Sequence, residues 1–185
     1  MSFVTHFSYP VLPHPHISEK FASLGTENPD KTYRLGLFGG TFDPVHNAHI
    51  ALAKAAIEEL ELEGVLFIPA STQPFKSGEI HASTENRYRM LRKVTEAEPL
   101  FDVSCIEIDR GGVSYSIDTL LELKQYFPEN VEFYFIIGTD ILTGLVHWYR
   151  PRDIARLVTL AIAKRPGYAE DIDAVMGNDG LDFFD

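Results

Sequence analysis

The chain has almost no cysteine and no long apolar run, and both absences narrow the classes of protein it can belong to. One cysteine, Cys105, occurs in 185 residues, so neither an intramolecular disulfide nor a multi-cysteine metal cluster can form. No apolar run reaches the ~18 residues that a membrane-spanning helix needs. Residues 1–15 hold no basic stretch followed by an apolar one, so no signal peptide is predicted. We therefore expect a cytoplasmic protein with no membrane partner.

Positive charge is also scarce. Lys and Arg total 16 against 27 Asp and Glu, which gives a formal net charge of −11. Broad binding to nucleic acid needs a basic surface, so nucleic acid is not an expected partner. The hydrophobic fraction of 45% and the charged fraction of 23% are typical of globular domains. We expect one domain, and a homo-oligomer is one of the assemblies that the sequence allows.

The first 33 residues differ from the rest of the chain. Prolines alternate with histidines between Pro10 and His16, and residues 25–31 are polar and rich in turn formers. No helical or strand period holds across this stretch, so we predict an irregular N-terminal arm over residues 1–33. His6, His14 and His16 could bind a metal ion, although a His-Pro tract is also typical of a loop.

From Arg34 onward, short apolar runs alternate with amphipathic segments. Strands are predicted at Leu35–Phe38, Val65–Pro69, Phe101–Ile108, Val131–Ile137 and Leu157–Ala163. Helices are predicted at Asn47–Leu60, at Arg87–Val94 with Ser83 or Thr84 as cap, and at Ser116–Phe127. This alternation, with a spacing of about 30 residues, predicts an α/β fold with a doubly wound (Rossmann-like) parallel sheet in a single domain. Ligands bind such sheets beyond the carboxyl ends of the strands.

The loop after the first predicted strand, Gly39–His49, is rich in functional residue types. Two glycines let a phosphate approach the backbone, and the following helix offers free N–H groups at its start. His46 and His49 lie three residues apart there, so both imidazoles can reach one phosphate and stabilise charge in a transition state. Gly-Gly is also a common turn, and the histidines could be half of a zinc site, but no third ligand is evident by spacing.

Several segments, in order, resemble the nicotinate mononucleotide adenylyltransferases. Gly39–His49 resembles the histidine-pair signature of their nucleotidyltransferase superfamily, G-x-F-x-P-x-H-x-G-H. The further segments that resemble the family are Ile68–Lys76, Asn86–Leu91, Glu107–Leu120, Phe135–Trp148 and Arg165–Tyr168. The match spans residues 34–168, and the shared order of so many segments argues against chance.

The resemblance implies a reaction. AMP would pass from ATP to nicotinate mononucleotide, a pyridine mononucleotide, giving deamido-NAD and pyrophosphate in NAD biosynthesis. Mg²⁺ would be held mainly by the ATP phosphates, and no metal ligands are expected in the protein. Two alternatives stay open: a nucleotide-binding protein of this fold with weak or lost transferase activity, and a transferase with another acceptor.

The resemblance also implies roles for individual residues. The residues implied to bind ATP are Gly39, Gly40, Thr41, Phe42, His46, His49, Gly138, Asp140 and Arg165. The catalytic candidates are His46, His49 and Lys76, and the residues implied to bind the pyridine mononucleotide are Ser116, Ile117, Trp148 and Tyr149. On residue type alone, Asp140 could instead cap a helix and Arg165 could form a salt bridge. Likewise Lys76 could simply be solvated, and the two aromatic residues could pack in the core.

The sequence departs from the family pattern at several points. Ala48 replaces a glycine, Gln73 a proline and Phe75 a histidine of the family motifs. The family continues into an I-S-S-T-x-I-R segment that binds the triphosphate, and residues 169–185 do not resemble it. We therefore expect the nucleotidyltransferase domain, residues 34–185, to lack that phosphate-binding segment, which is what motivates the binding-only alternative.

Overall fold

The alternating apolar runs form one sheet in which neighbouring strands are parallel, in a computed structural model that describes residues 17–72, 80–142 and 144–163. The strands are β1 (Tyr33–Gly40), β2 (Gly64–Pro69), β3 (Phe101–Val103), β4 (Val131–Gly138) and β5 (Thr159–Ala163). They are ordered β3-β2-β1-β4-β5, so the chain moves outward from β1 to β3 and then crosses to the other side of β1. The predicted parallel sheet is confirmed.

Helices cover both faces of this sheet. They are α1 (Asn47–Leu60), α2 (Thr84–Ala97), α3 (Ile106–Arg110), α4 (Ser116–Tyr126), α5 (Thr139–Leu142) and α6 (Pro151–Leu157). Ala53 of α1 and Leu91 of α2 are buried in one apolar cluster, whereas Ile106, Ile117 and Ile154 of α3, α4 and α6 are buried in a second. The doubly wound arrangement is therefore confirmed. None of the described helices is long and apolar enough to cross a membrane.

Burial of β2 on both faces explains why its apolar run is continuous. Val65 and Phe67 belong to one apolar cluster, and Leu66 and Ile68 belong to the other. Successive side chains of a strand point to opposite faces, so a strand covered on both faces needs apolar residues at every position.

Most predicted elements lie where the sequence placed them, but two need correction. The α1 helix has the predicted bounds. The predicted strand Phe101–Ile108 is wrong in its second half, because the strand ends at Val103 and a helix begins at Ile106. The Ser104 hydroxyl accepts the Ile106 N–H at 3.3 Å, a local turn that competes with strand pairing. The last strand begins at Thr159 instead of Leu157, because Leu157 ends α6.

Part of the predicted N-terminal arm packs on the sheet. Residues 17–32 form turns and bends, and Ile17 and Phe21 are buried in the same apolar cluster as α4. His6, His14 and His16 lie outside the described residues.

Asp102 of β3 anchors this N-terminal segment. Its carboxylate is 1% exposed, and Oδ2 accepts hydrogen bonds from the Ser18 hydroxyl at 2.7 Å and from the N–H groups of Glu19 and Lys20 at 2.8 and 2.9 Å. The other oxygen, Oδ1, accepts the N–H of Val103 at 2.8 Å. Both oxygens of the buried carboxylate are thus satisfied, as a buried charge requires.

Lys20 adds a second anchor next to the first. Its Nζ donates to the carbonyls of Thr95, Glu98 and Phe101 at 2.5, 2.9 and 2.7 Å. The first two carbonyls belong to the last turn and the C-cap of α2, where a positive charge also interacts favourably with the helix dipole. We call Ser18–Lys20, with these contacts, the N-terminal strap.

We expect Asp102→Asn to lower the free energy of unfolding by about 1–3 kcal/mol, because an amide NH₂ would then face donors in a buried position. Urea unfolding of the two proteins measures the difference. Asp30→Asn, at an exposed position, should leave stability nearly unchanged. A loss at Asp102 no larger than the loss at Asp30 would mean that the strap does not stabilise the fold.

Candidate active site

The β1 and β4 strands are neighbours at the centre of the sheet, and they part near their carboxyl ends. Their pairing ends at Leu37 and Phe135. Beyond this point β1 stays paired with β2 as far as Gly40, and β4 stays paired with β5 as far as Gly138. A crevice therefore opens where the strand order reverses, which is where doubly wound sheets bind their ligands.

The loop after β1 turns sharply at one side of this crevice. Phe42 has a φ of 51°, a left-handed conformation that bulky residues rarely adopt, and its ring is 2% exposed. A Cβ at Gly40 would lie 3.1 Å from that ring, whereas a Cβ at Gly39 would meet nothing closer than 3.7 Å. Gly40 therefore lets the ring of Phe42 pack closely against the backbone of β1. Thr41, between them, is also buried.

The two histidines of this loop lie together at the start of α1. Exposed His46 is the N-cap residue and half-buried His49 lies in the first turn. Their rings stack with centroids 3.7 Å apart and planes inclined by 20°. The His46 N–H donates to Nδ1 of His49 at 3.2 Å, which assigns the proton of the neutral His49 ring to Nε2.

Aromatic side chains hold the His49 ring from the other side. The ring of Phe42 lies 5.0 Å from it and the ring of Phe38 lies 5.8 Å away, both in edge contact. One hydrogen bond and three ring contacts thus set the orientation of His49 before any ligand arrives. This is the preorganisation that stabilisation of transition-state charge needs.

Three of the four residues predicted to bind the mononucleotide, Ser116, Ile117 and Tyr149, lie at or beside the start of α4. Tyr149 is 54% exposed, and its ring lies 5.1 Å from that of Tyr115, the N-cap residue of α4. Ser116 begins the helix. The Ile117 side chain is fully buried in the core, so only its backbone N–H can face a ligand. Tyr115 is a residue that sequence reasoning missed.

Phe135 of β4 lies between the loop after β1 and the aromatic residue Trp148. The ring of half-buried Trp148 meets it in a T-shaped contact at 5.9 Å, and the Cα of Gly39 faces the same ring from β1. Gly39 at the end of β1 and the ring of Trp148 therefore both adjoin the crevice between β1 and β4.

Other predicted site residues are placed less fully. Gly138 ends β4 and Asp140 lies in α5, but the Asp140 side chain is not among those described. Lys76 and Arg165 lie outside the described residues, as do Gln73, Phe75 and residues 169–185. Within the described ranges, no group of three or more His, Cys, Asp or Glu side chains could hold a metal ion.

Cys105 is the one thiol of the chain, and it is poorly suited to nucleophilic catalysis. Burial, together with the neighbouring Asp109 carboxylate, raises the pKa of this thiol to about 12. Because the thiolate is the nucleophile, the side chain stays unreactive near neutral pH.

A chain of buried polar contacts joins the loops around the crevice, and sequence reasoning did not select its members. The Arg87 guanidinium donates to the carbonyl of Thr41 at 2.7 Å and to that of Ser71 at 3.4 Å. The N–H of Ser71 donates in turn to the Ser114 hydroxyl at 3.0 Å. The only signal for Arg87 was its place in the family-like segment Asn86–Leu91, because burial cannot be read from an arginine in a helical pattern.

Glu107 continues this chain toward α4. It is 7% exposed and accepts the Thr119 hydroxyl at 2.7 Å, while Arg110 donates to the same hydroxyl oxygen at 2.8 Å. Burial raises the pKa of Glu107 above its ordinary value, and hydrogen bonds from Thr119 and Ser114 and the charge of Arg110 oppose the rise.

Comparison with known proteins finds relatives over most of the chain. A family model described as cytidylyltransferase-like matches residues 37–182. A protein of Herpetosiphon aurantiacus, named probable nicotinate-nucleotide adenylyltransferase, is 41% identical over 143 residues, which are 77% of this chain and 71% of the relative. A protein of Geobacillus kaustophilus with the same name is 40% identical over 136 residues, which are 74% of this chain and 62% of the relative.

The chain thus spans under two thirds of the length of some of these relatives. Among solved structures, the nicotinic acid mononucleotide adenylyltransferase of Plasmodium falciparum, complexed with NaAD, superposes with a TM-score of 0.64 at 16% identity. The superposition covers 78% of this chain and 70% of the other. At this level of identity it shows a shared fold.

The raised pKa of Glu107 predicts a pH dependence of stability. Between the ordinary value of 4.5 and the raised value, the folded state holds the proton more tightly than the unfolded state, so the free energy of unfolding falls as pH rises through this window. Glu107→Gln should remove this fall in the free energy of unfolding. Glu58→Gln, at an exposed position, should leave the fall unchanged. Urea unfolding at a series of pH values tests this, and equal pH slopes in wild type and Glu107→Gln would contradict it.

Proposed function

Because the chain belongs to the cytidylyltransferase-like family and is 41% identical to a probable nicotinate-nucleotide adenylyltransferase, we propose that it transfers AMP from ATP to nicotinate mononucleotide. The products are deamido-NAD and pyrophosphate. The observation that carries the proposal is the stacked pair His46 and His49 at the start of α1, beside the crevice between β1 and β4.

In the proposed reaction, an oxygen of the mononucleotide phosphate attacks the α-phosphorus of ATP. The bond from that phosphorus to the β-phosphate bridging oxygen breaks, and pyrophosphate leaves with the electron pair. The Nε2–H of His49, the imidazole of His46 and the first N–H groups of α1 donate to phosphate oxygens and stabilise the charge. Lys76 and Arg165 add positive charge, and Gly138 and Asp140 contact the nucleotide. No covalent intermediate on the protein is needed.

The metal ion in this proposal enters with ATP. The described residues offer no cluster of three or more carboxylates, imidazoles or thiols around a metal position. Mg²⁺ bound by the ATP phosphates is therefore treated as part of the substrate. When bound, it neutralises part of the phosphate charge.

The acceptor ring is proposed to lie between the aromatic residues and the start of α4. Tyr149 is exposed beside Tyr115, and Trp148 lines the crevice over Phe135. The N–H groups of Ser116 and Ile117 precede the first hydrogen bonds of the helix, which begin at Asp118, so they can meet a carboxylate on the ring.

Arg110 brings a guanidinium close to the first turn of α4. It contacts Thr119 but also pairs with Glu122 at 2.9 Å, so much of its charge is balanced. The positive field that selects a carboxylate therefore comes mainly from the N–H groups and the dipole of α4.

We expect His49→Ala to lower kcat by about two to three orders of magnitude, the usual effect of losing a preorganised donor to transition-state charge. His49→Asn keeps an acceptor for the His46 N–H but not the reach of Nε2, so it should recover little activity. Steady-state pyrophosphate release measures both variants. Near-normal kcat in His49→Ala would remove this residue from the catalytic group.

The helix start also predicts which acceptor is preferred. A nicotinate ring carries a carboxylate, whereas the NH₂ of a nicotinamide ring would face N–H donors. We expect kcat/KM to favour nicotinate mononucleotide by about tenfold or more, equivalent to about 1.4 kcal/mol. Pyrophosphate release with ATP and each acceptor tests both the function and the preference. Equal values would exclude α4 as the discriminating element, and no turnover with either acceptor would favour a binding-only protein.

A further inference from the structure

Arg87 lies in the first turn of α2, and its side chain is buried although it carries a charge. It is 1% exposed and is among the largest fully buried side chains of the protein. Burial lowers the pKa of the guanidinium and the Asp43 carboxylate opposes the change, but arginine stays protonated in proteins. Its Nε finds no hydrogen-bond partner in the part of the chain that the structure describes. An apolar side chain would fill this space at a lower desolvation cost.

The rest of the guanidinium is directed at the loops of the crevice. Nη1 donates to the carbonyl of Thr41 at 2.7 Å. Nη2 donates to the Thr84 hydroxyl at 3.1 Å and lies 3.4 Å from the carbonyl of Ser71. The rigid planar fork of arginine can bind acceptors in several loops at once, each in a set direction.

Thr41 is the acceptor that matters for the site. It precedes Phe42, whose backbone is left-handed and whose ring contacts His49. Only residues 42–45 separate it from His46. A change in the position of the Thr41 carbonyl is therefore passed to both histidines over one short turn.

Asp43, in the same turn, makes the reciprocal contact. Its carboxylate accepts the N–H groups of His81 and Ala82 at 2.6 and 3.1 Å, just before Ser83 caps α2. The turn after β1 and the start of α2 thus hold each other from both sides, with a side chain of each bonded to the backbone of the other.

We propose that Arg87 is a positioning residue for the ATP-phosphate side of the site: by holding the Thr41 carbonyl, its guanidinium sets the turn that presents His46 and His49. Arg87 does not contact substrate in this inference, and the inference rests on the proposed function. The larger effect of Arg87 is therefore on ATP, because its shortest hydrogen bond, 2.7 Å, holds the Thr41 carbonyl, whereas it reaches the start of α4 only indirectly, through Ser71 and Ser114.

The test compares Arg87→Met, Arg87→Lys and Arg92→Met. The control, Arg92, lies on the same helix and pairs with Glu19 and Glu96. We expect Arg87→Met to raise the KM for ATP by about tenfold, with a smaller rise in the KM for nicotinate mononucleotide, and to lower kcat because His49 is displaced from its oriented position. Arg87→Lys keeps the charge but not the planar guanidinium. Its KM for ATP should therefore lie between that of wild type and that of Arg87→Met. Arg92→Met should match wild type.

Circular dichroism and thermal unfolding establish that each variant folds. If Arg87→Met does not fold, Arg87→Lys carries the test, because it keeps the charge but loses the planar donor pair that holds the Thr41 carbonyl. An unchanged KM for ATP in a folded Arg87 variant, or equal rises in both KM values, would overturn the inference.

Calorimetric titration with a non-hydrolysable ATP analogue separates this inference from the proposed function. Weaker analogue binding by Arg87→Met than by wild type and Arg92→Met supports the role of Arg87 even if no acceptor is turned over, in which case the proposed function alone fails. Normal turnover with equal analogue binding in all three proteins overturns the role of Arg87 alone. If wild type does not bind the analogue, both fail.

Discussion

The candidate site depends on how β1 is shared between its two neighbours. It stays paired with β2 to its last residue, Gly40, but leaves β4 after Leu37. A central strand that follows one neighbour further than the other opens a gap lined by its own carboxyl end. The glycines, the histidine turn and the ring of Phe135 all border this gap because the pairing stops there. The helices cover the two faces of the sheet, and the start of α1 carries the two histidines beside this gap.

Two kinds of contact then give the gap its chemistry. Aromatic rings and one backbone N–H orient His49, and buried polar side chains join the surrounding loops. The polar chain runs from Thr41 through Arg87, Ser71 and Ser114 to Glu107. Buried polar groups with most partners satisfied specify one arrangement more sharply than apolar packing does. These directional hydrogen bonds thus fix the relative orientation of the loops as well as bringing them into contact.

Sequence patterns predicted the sheet, the three longer helices α1, α2 and α4, and the histidine turn, because these depend on local periodicity and on the order of elements. The short helices α3, α5 and α6 were not predicted. They failed where a single side chain ended an element, as Ser104 does after β3. They also could not assign burial. Arg87, which is 1% exposed, was not selected because its acceptors come from residues distant in the chain. Such roles depend on tertiary contacts that periodicity does not encode.

The N-terminal strap has a consequence for how the molecule meets copies of itself. The β3 strand is the last of the sheet on its side, and an outer strand exposes N–H and C=O groups on which another chain can build. Here the Lys20 ammonium binds the carbonyl of Phe101, and the Asp102 carboxylate binds the N–H of Val103. Both are groups that an added strand would need. The ammonium and the carboxylate that fasten residues 18–20 therefore also occupy groups through which another chain could pair with this edge.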